Sequence, residues 1–120
     1  MRIRLKRVYE PPSKEDGVRV LVDRLWPRGV SKRDAQISYW FKEIAPSDEL
    51  RKFFGHAPER WEEFRKRYLE ELERPEAREQ LEELRQLASR GTLTLVFGAR
   101  DEQHNQAVVL KQVLEQNKRS

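Results

Sequence analysis

A small three-layer α/β sandwich, its short and mostly parallel sheet covered by helices, is the fold class this chain predicts. Three observations carry the prediction. Residues 18–25 and 92–97 are apolar on both faces at their centres, as strands buried between two layers are. Stretches with apolar residues at helical spacing lie between them and after them. The 120 residues are the size of one domain, enough to hide roughly two-thirds of the unfolded surface and carry an apolar core without staples. Covered strands flanked by helices have a Rossmann-like character, and parallel strands bring their C-terminal ends to one edge, where ligands bind.

Residues 2–8 alternate, with Ile3, Leu5 and Arg7 on one side and Arg4, Lys6 and Val8 on the other, the pattern of a half-buried or edge strand. Pro11 and Pro12 end it, and residues 13–17 make a polar connection to the first covered strand, 18–25. Trp26-Pro27-Arg28-Gly29 then predicts a turn, with Pro fixing φ at its second position and Gly at its fourth. Within residues 34–46, Ile37, Trp40, Phe41 and Ile44 fall at i, i+3, i+4 and i+7, an amphipathic-helix signature, while the β-rich run 37–41 equally admits a short strand. Residues 37–44 stay open between the two.

Ser47 is a good N-cap, with Asp48 and Glu49 in the favoured first turn, for a short helix ending near Gly55. Residues 58–73 place Trp61, Phe64, Tyr68, Leu69 and Leu72 on one stripe of a further helix. Pro75 opens the next, with Leu81, Leu84, Leu87 and Ala88 buried and Gly91 as its C-cap. After the second covered strand, Gly98-Ala99-Arg100 turns the chain into a final helix with Asp101 as N-cap and Ala107, Leu110, Val113 and Leu114 inward. The last six residues, polar and basic, are expected to fray. No repeat or low-complexity tract occurs.

Composition excludes several classes. With no cysteine there is no disulfide framework, thiolate nucleophile, CxxC pair or zinc ribbon. The two histidines, His56 and His104, stand in no metal-ligand spacing, and no metal or cofactor is expected. The five glycines form no GxGxxG, Walker A or GxSxG pattern. No stretch approaches the about 20 apolar residues of a membrane span, and nothing resembles a signal peptide, so a cytoplasmic protein with no membrane partner is expected. The net charge is +4, unevenly spread: residues 1–33 carry 10 basic and 4 acidic side chains, residues 34–90 carry 11 and 14. That excess suits an anionic ligand, although a solvated, charge-rich surface explains it too. A charged fraction of 38%, one Met and two Asn also fit a heat-adapted source.

Two strand ends hold the candidate chemistry. Residues 23–29 pack Asp23, Arg24, Trp26 and Arg28 beside a turn. Asp23 and Arg24 point to opposite faces of a strand, so each needs a partner elsewhere. Arginine captures phosphate or carboxylate in a bidentate fork, and Trp26 has the ring for stacking on a base. The plainer reading makes Trp26 a core aromatic and Arg24 a bridge to an acidic residue on a covering helix. At the second end a glycine-containing strand-to-helix turn offers free N–H groups to an anion, with Arg100 beside it. Asp101 capping the helix would project His104 and Asn105 toward the same edge. His104 there is a candidate general acid or base, with Asp23 and Asp101 as further catalytic candidates; a simple cap and a surface histidine explain the same letters.

The segments 20–29, 45–56 and 100–110, including the runs Arg24-Leu25-Trp26-Pro27-Arg28-Gly29 and Arg100-Asp101-Glu102-Gln103-His104-Asn105, resemble the YeaO-like family, part of a larger group of domains of unknown function. The resemblance covers nearly the whole chain. It implies a small cytoplasmic prokaryotic protein with a Rossmann-like α/β fold and carries no settled activity. Matching positions include Asp23, Arg24, Trp26, Pro27, Arg28, Gly29, Pro46, Ser47, Gly55, His56, Asp101, His104 and Asn105. Two departures stand out: Phe97 replaces a frequent Tyr, and Gly98 replaces the usual Ala. More distant members carry cysteines around the segment matching 97–105, chemistry that this chain lacks. The residues themselves predict binding of a nucleotide, nucleic acid or other phosphorylated molecule by Arg24, Trp26, Arg28, Arg100, His104 and Asn105. The alternatives are a hydrolase or transferase on a nucleotide-like substrate that uses His104 or Asp23 with the arginines, and a protein-interaction module.

Overall fold

A computed structural model describes residues 2–116. Its centre is a four-stranded, all-parallel sheet in the order β1-β4-β2-β3, built from β1 (Arg2–Arg7), β2 (Val18–Leu21), β3 (Tyr39–Trp40) and β4 (Thr92–Phe97). The helices are α1 (Lys32–Ala35), α2 (Asp48–Phe54), α3 (Trp61–Glu71), α4 (Pro75–Arg90) and α5 (Gln106–Gln116). This is the α/β sandwich that the apolar patterns predict.

Alternation along each strand sorts the core into two. Ile3, Val20, Val22, Leu93, Leu95 and Phe97 turn to the layer of α2 to α5 and join Phe54, Phe64, Tyr68, Leu84 and Leu110 in one cluster. Val8, Leu21 and Val96 turn the other way, to Ala35 of α1, with Trp26, Val30, Ile37 and Trp40 packed around them. A 3-10 turn, Lys14–Asp16, lies on the same second face, where the Thr94 hydroxyl donates to the Asp16 carbonyl at 2.6 Å.

Residues 34–46 are not one helix. Gln36, in the left-handed region at φ 49°, ends α1 after a single turn, and β3 follows, so the short-strand reading is the nearer. The physical reason is that Ile37 and Trp40 belong to the second core while Phe41 and Ile44 belong to the first. One helical face cannot serve two cores on opposite sides of a sheet.

Other bounds shift as well. The strand expected over 18–25 leaves the ladder after Leu21, although the Val22 N–H still donates to the Val96 carbonyl. Residues 58–73 divide into a 3-10 turn, Pro58–Arg60, and α3. Ser47 caps α2 by accepting the Leu50 N–H at 3.1 Å, and Gly55 closes it at φ 51°. Gly91 is the C-cap of α4, as expected, and takes extended backbone there, φ 167°. The cap of α5 is Asn105 rather than Asp101: its Oδ1 accepts the Val108 N–H, because Asp101 is occupied one turn earlier. The expected fraying of the C-terminus concerns residues 115–120, of which 117–120 lie outside the described residues; Glu115 and Gln116 still belong to α5.

Candidate functional site

A cleft of about 320 Å³ opens outside the C-terminal ends of the strands. Each strand contributes to it with residues just beyond its end: Tyr9 after β1, residues 23–27 after β2, Ala45 and Pro46 after β3, Gly98 and Ala99 after β4. Arg51 and Phe54 of α2, then His56, Phe64 and residues 104–106, complete the wall. The edge expected from parallel topology is thus where the crevice lies.

Asp23 leaves β2 with its carboxyl turned to the end of β4. Its Oδ2 accepts the Gly98 N–H at 2.9 Å and its Oδ1 accepts the Gln106 side-chain amide at 2.6 Å, so it clips the β4–α5 connection to β2. Burial pushes the Asp23 carboxyl up to about 6, against the Gly98 and Gln106 hydrogen bonds and the Arg51 charge, which favour ionisation. A Cβ at position 98 would lie 2.9 Å from Asp23 Oδ2. A glycine at position 98 therefore leaves room for this carboxyl beside the strand end.

Arg24 lies past the end of β2, in a bend, and like Asp23 it lines the cleft. Its guanidinium forks onto two backbone carbonyls, Nε to Pro46 at 3.1 Å and Nη2 to Ala45 at 3.0 Å, and has no acidic bridge among the described residues. Trp26 donates its indole N–H to the Val30 carbonyl at 2.6 Å and meets Trp40 edge-on at 5.3 Å, so most of the ring belongs to the second core while part of it lines the cleft. Asn105 is buried and spent on local structure, its amide donating to the Asp101 carbonyl at 2.8 Å. Arg28 and Arg100 are exposed and stand outside the lining.

Asp101 accepts the Gln103 and His104 N–H groups through Oδ1, and its Oδ2 meets His104 Nδ1 at 2.8 Å. The Gln103 N–H and the His104 ring hold its carboxyl below the ordinary value. An ionised carboxylate only accepts, so Nδ1 is the donor in this contact and Nε2 stays outside it. The ring sits edge-on to Trp61 at 5.2 Å.

The cleft therefore gathers Asp23, Arg24, Trp26, His104 and Asn105 from the residues the sequence singles out, and adds Arg51, His56 and Gln106. Arg51 and His56 lie in the family-like segment 45–56, which was the one available signal for them. Gln106 had none. Among the described residues no group of three or more His, Asp and Glu side chains is placed to hold a metal ion, and no helix is long and apolar enough to cross a membrane.

Fold and cleft define a small parallel α/β sandwich with a crevice at the carboxyl edge of its sheet. The chain belongs to the YeaO-like family of unknown function: residues 2–120 match the model described as the inactive DUF488-N3 subclade. It is 44% identical over 110 residues to the uncharacterised protein YeaO of Escherichia coli strain K12, covering 92% of this chain and 94% of that protein. Uncharacterised proteins of Mycobacterium tuberculosis strain H37Rv and Mycobacterium bovis are each 47% identical over 113 residues, 94% of this chain and 93% of theirs. No solved structure matches.

Proposed function

We propose that the cleft binds a small anionic ligand, a nucleotide or another phosphorylated molecule, and holds it without turning it over. The observation that carries this is the charge of the wall: the guanidinium groups of Arg24 and of Arg51, the latter also paired with Asp48, face one space in which Asp23 is the lining's one carboxylate, with the rings of His56 and His104 beside them. Trp26, Phe54, Phe64 and Tyr9 supply apolar surface for a sugar or base beside the anion, and the volume is at the small end of ligand pockets. Of the six binding residues expected from sequence, Arg24, Trp26, His104 and Asn105 stay in this proposal. Arg28 and Arg100 give way to Arg51 and His56.

Turnover has less support. The one hydroxyl on the wall, that of Tyr9, donates to the Arg28 carbonyl, and both Asp23 oxygens already accept hydrogen bonds. The description of the matched subclade as inactive points the same way. The Asp101–His104 pair is the observation that favours the enzyme alternative, since it orients a ring nitrogen as a general base needs. A cytoplasmic, prokaryotic and heat-adapted setting is part of this proposal; the bacterial relatives support the second and the charge-rich composition the third.

Differential scanning fluorimetry against nucleotides, phosphosugars and inorganic phosphate tests the reading, because a ligand of the folded state raises stability by RT ln(1 + [L]/Kd). A shift lost in Arg51→Ala is the expected result. A flat panel, or shifts indifferent to Arg51, would count against it and bring the exposed Leu25 and Tyr39 forward as contacts for a protein partner.

A further inference from the structure

The sheet face opposite α2 to α5 holds more positive charge than its own carboxylate cancels. Asp16, fully buried, collects three cations: Arg19 Nη1 at 2.6 Å, Lys6 Nζ at 3.1 Å and Arg4 Nη1 at 3.4 Å. The same two oxygens also accept the Ser13 N–H and hydroxyl. One saturated carboxylate thus faces three cations, and two positive charges stay uncompensated where solvent screens them poorly. Arg19 is buried and gives its other nitrogens to the Ala35 carbonyl. Arg4 and Lys6 keep 34% and 13% of their side-chain surface, and Arg4 Nη1 makes no hydrogen bond among the described residues.

Arg2, Arg4 and Lys6 form a row. Ile3 turns into the core, so alternation brings these three to the same face, about 6.6 Å apart at the rise of a strand. The row lies on β1, an edge strand with a neighbour on one side alone. Glu10 and Glu15, the acidic side chains nearest in sequence, accept from the Arg7 N–H and the Ser13 hydroxyl, and among the described residues neither is ion-paired to the row. Just past the end of the row stands Tyr9, half exposed, with the Arg7 guanidinium 5.0 Å from its ring centre.

We propose that this β1 stripe is a track for the phosphodiester backbone of a single nucleic-acid strand, running along β1 and meeting the cleft only at Tyr9, whose ring borders both. Evenly spaced cations in one line suit successive phosphates of an extended strand, and guanidinium forks suit phosphate oxygens. Tyr9 adds the exposed ring on which a base stacks, a feature that an acidic peptide does not use. Binding places a second anion beside Arg4 and Lys6 and balances the charge that Asp16 leaves over.

The test is fluorescence anisotropy of a labelled 12-nucleotide oligothymidylate with the full chain between 25 and 200 mM KCl. Three phosphate contacts predict a slope of log K against log salt of about −2. Arg2→Gln and Arg4→Gln should each weaken binding several-fold and flatten the slope by about 0.7. Arg2 is exposed, so its variant keeps the fold if removal of Arg4 disturbs it. Absence of binding at 25 mM KCl would overturn the proposal, as would equal affinity for polyglutamate. Loss of binding in Arg51→Ala with none in the two β1 variants would overturn it as well, by moving the contact to the cleft.

Discussion

At pH 7 the Asp23 carboxyl is mostly ionised, although burial has lifted it from 3.8 to about 6. A raised carboxyl binds its proton more tightly in the folded chain than in the unfolded one. Its ionisation therefore costs stability as pH rises from 3.8 to about 6, by about 3 kcal/mol in all, and the cost is constant above that. Asn at this position cannot ionise, so the stability difference between Asp23→Asn and the parent should widen across that window in urea titrations. Parallel curves would contradict the assignment. Asp16 works in the opposite sense. Burial alone would raise it, but the Ser13 N–H, Lys6 and Arg19 outweigh burial and bring it to about 2, so its contribution is complete above 3.8 and fades as pH falls toward 2. Protonation of Asp23 also removes the cleft's one carboxylate, so anion binding should strengthen as pH drops through 6, measurable by titration calorimetry with inorganic phosphate.

Among the elements, α2 depends on a short side chain at its start. The Ser47 hydroxyl accepts the Leu50 N–H and donates to Glu71 Oε2 at 2.5 Å, which ties the cap of α2 to the end of α3. Ser47→Ala should cost about 1–2 kcal/mol by chemical denaturation, at the upper end for a cap because the Glu71 contact goes with it. Gly17 joins the 3-10 turn to β2 at φ 62°, and a Cβ there would run into the Thr92 carbonyl oxygen. Gly17→Ala combines an unfavourable backbone with a backbone clash, and should lose 3 kcal/mol or more, in the order expected of strain and overpacking together. A melt within a degree or two of the parent would show that β2 shifts freely against β4.

For the whole molecule, charge is the dominant feature of the surface. Helices α2 to α5 carry exposed pairs such as Asp48–Arg51, Glu63–Arg67, Glu82–Arg85 and Lys111–Glu115. Each is worth a few tenths of a kcal/mol at 25 °C, and such pairs gain relative weight as temperature rises. If the chain is heat-adapted, its cooperative unfolding midpoint should stand above the roughly 45–65 °C of mesophile domains, and a midpoint within that range would refute heat adaptation. Calorimetry at two salt concentrations would show what the surface pairs contribute to that midpoint.

Sequence by itself determined the α/β class, the covered central strand β4, the long helices and the cap at Ser47. Periodicity, capping and two-faced burial are local signals, readable wherever one segment answers to one environment. It also marked the carboxyl edge of the sheet and, in Asp23, Arg24, Trp26, His104 and Asn105, most of the residues brought there. Tertiary structure alone decided the rest. Residues 37–44 serve cores on both sides of the sheet, so their helical spacing misled; Asp101 holds His104 and leaves the cap of α5 to Asn105. Arg28 and Arg100 lie outside the cleft while Arg51 and His56 enter it. Where a guanidinium ends up depends on the partners that other segments place beside it, and no local pattern in the chain encodes those.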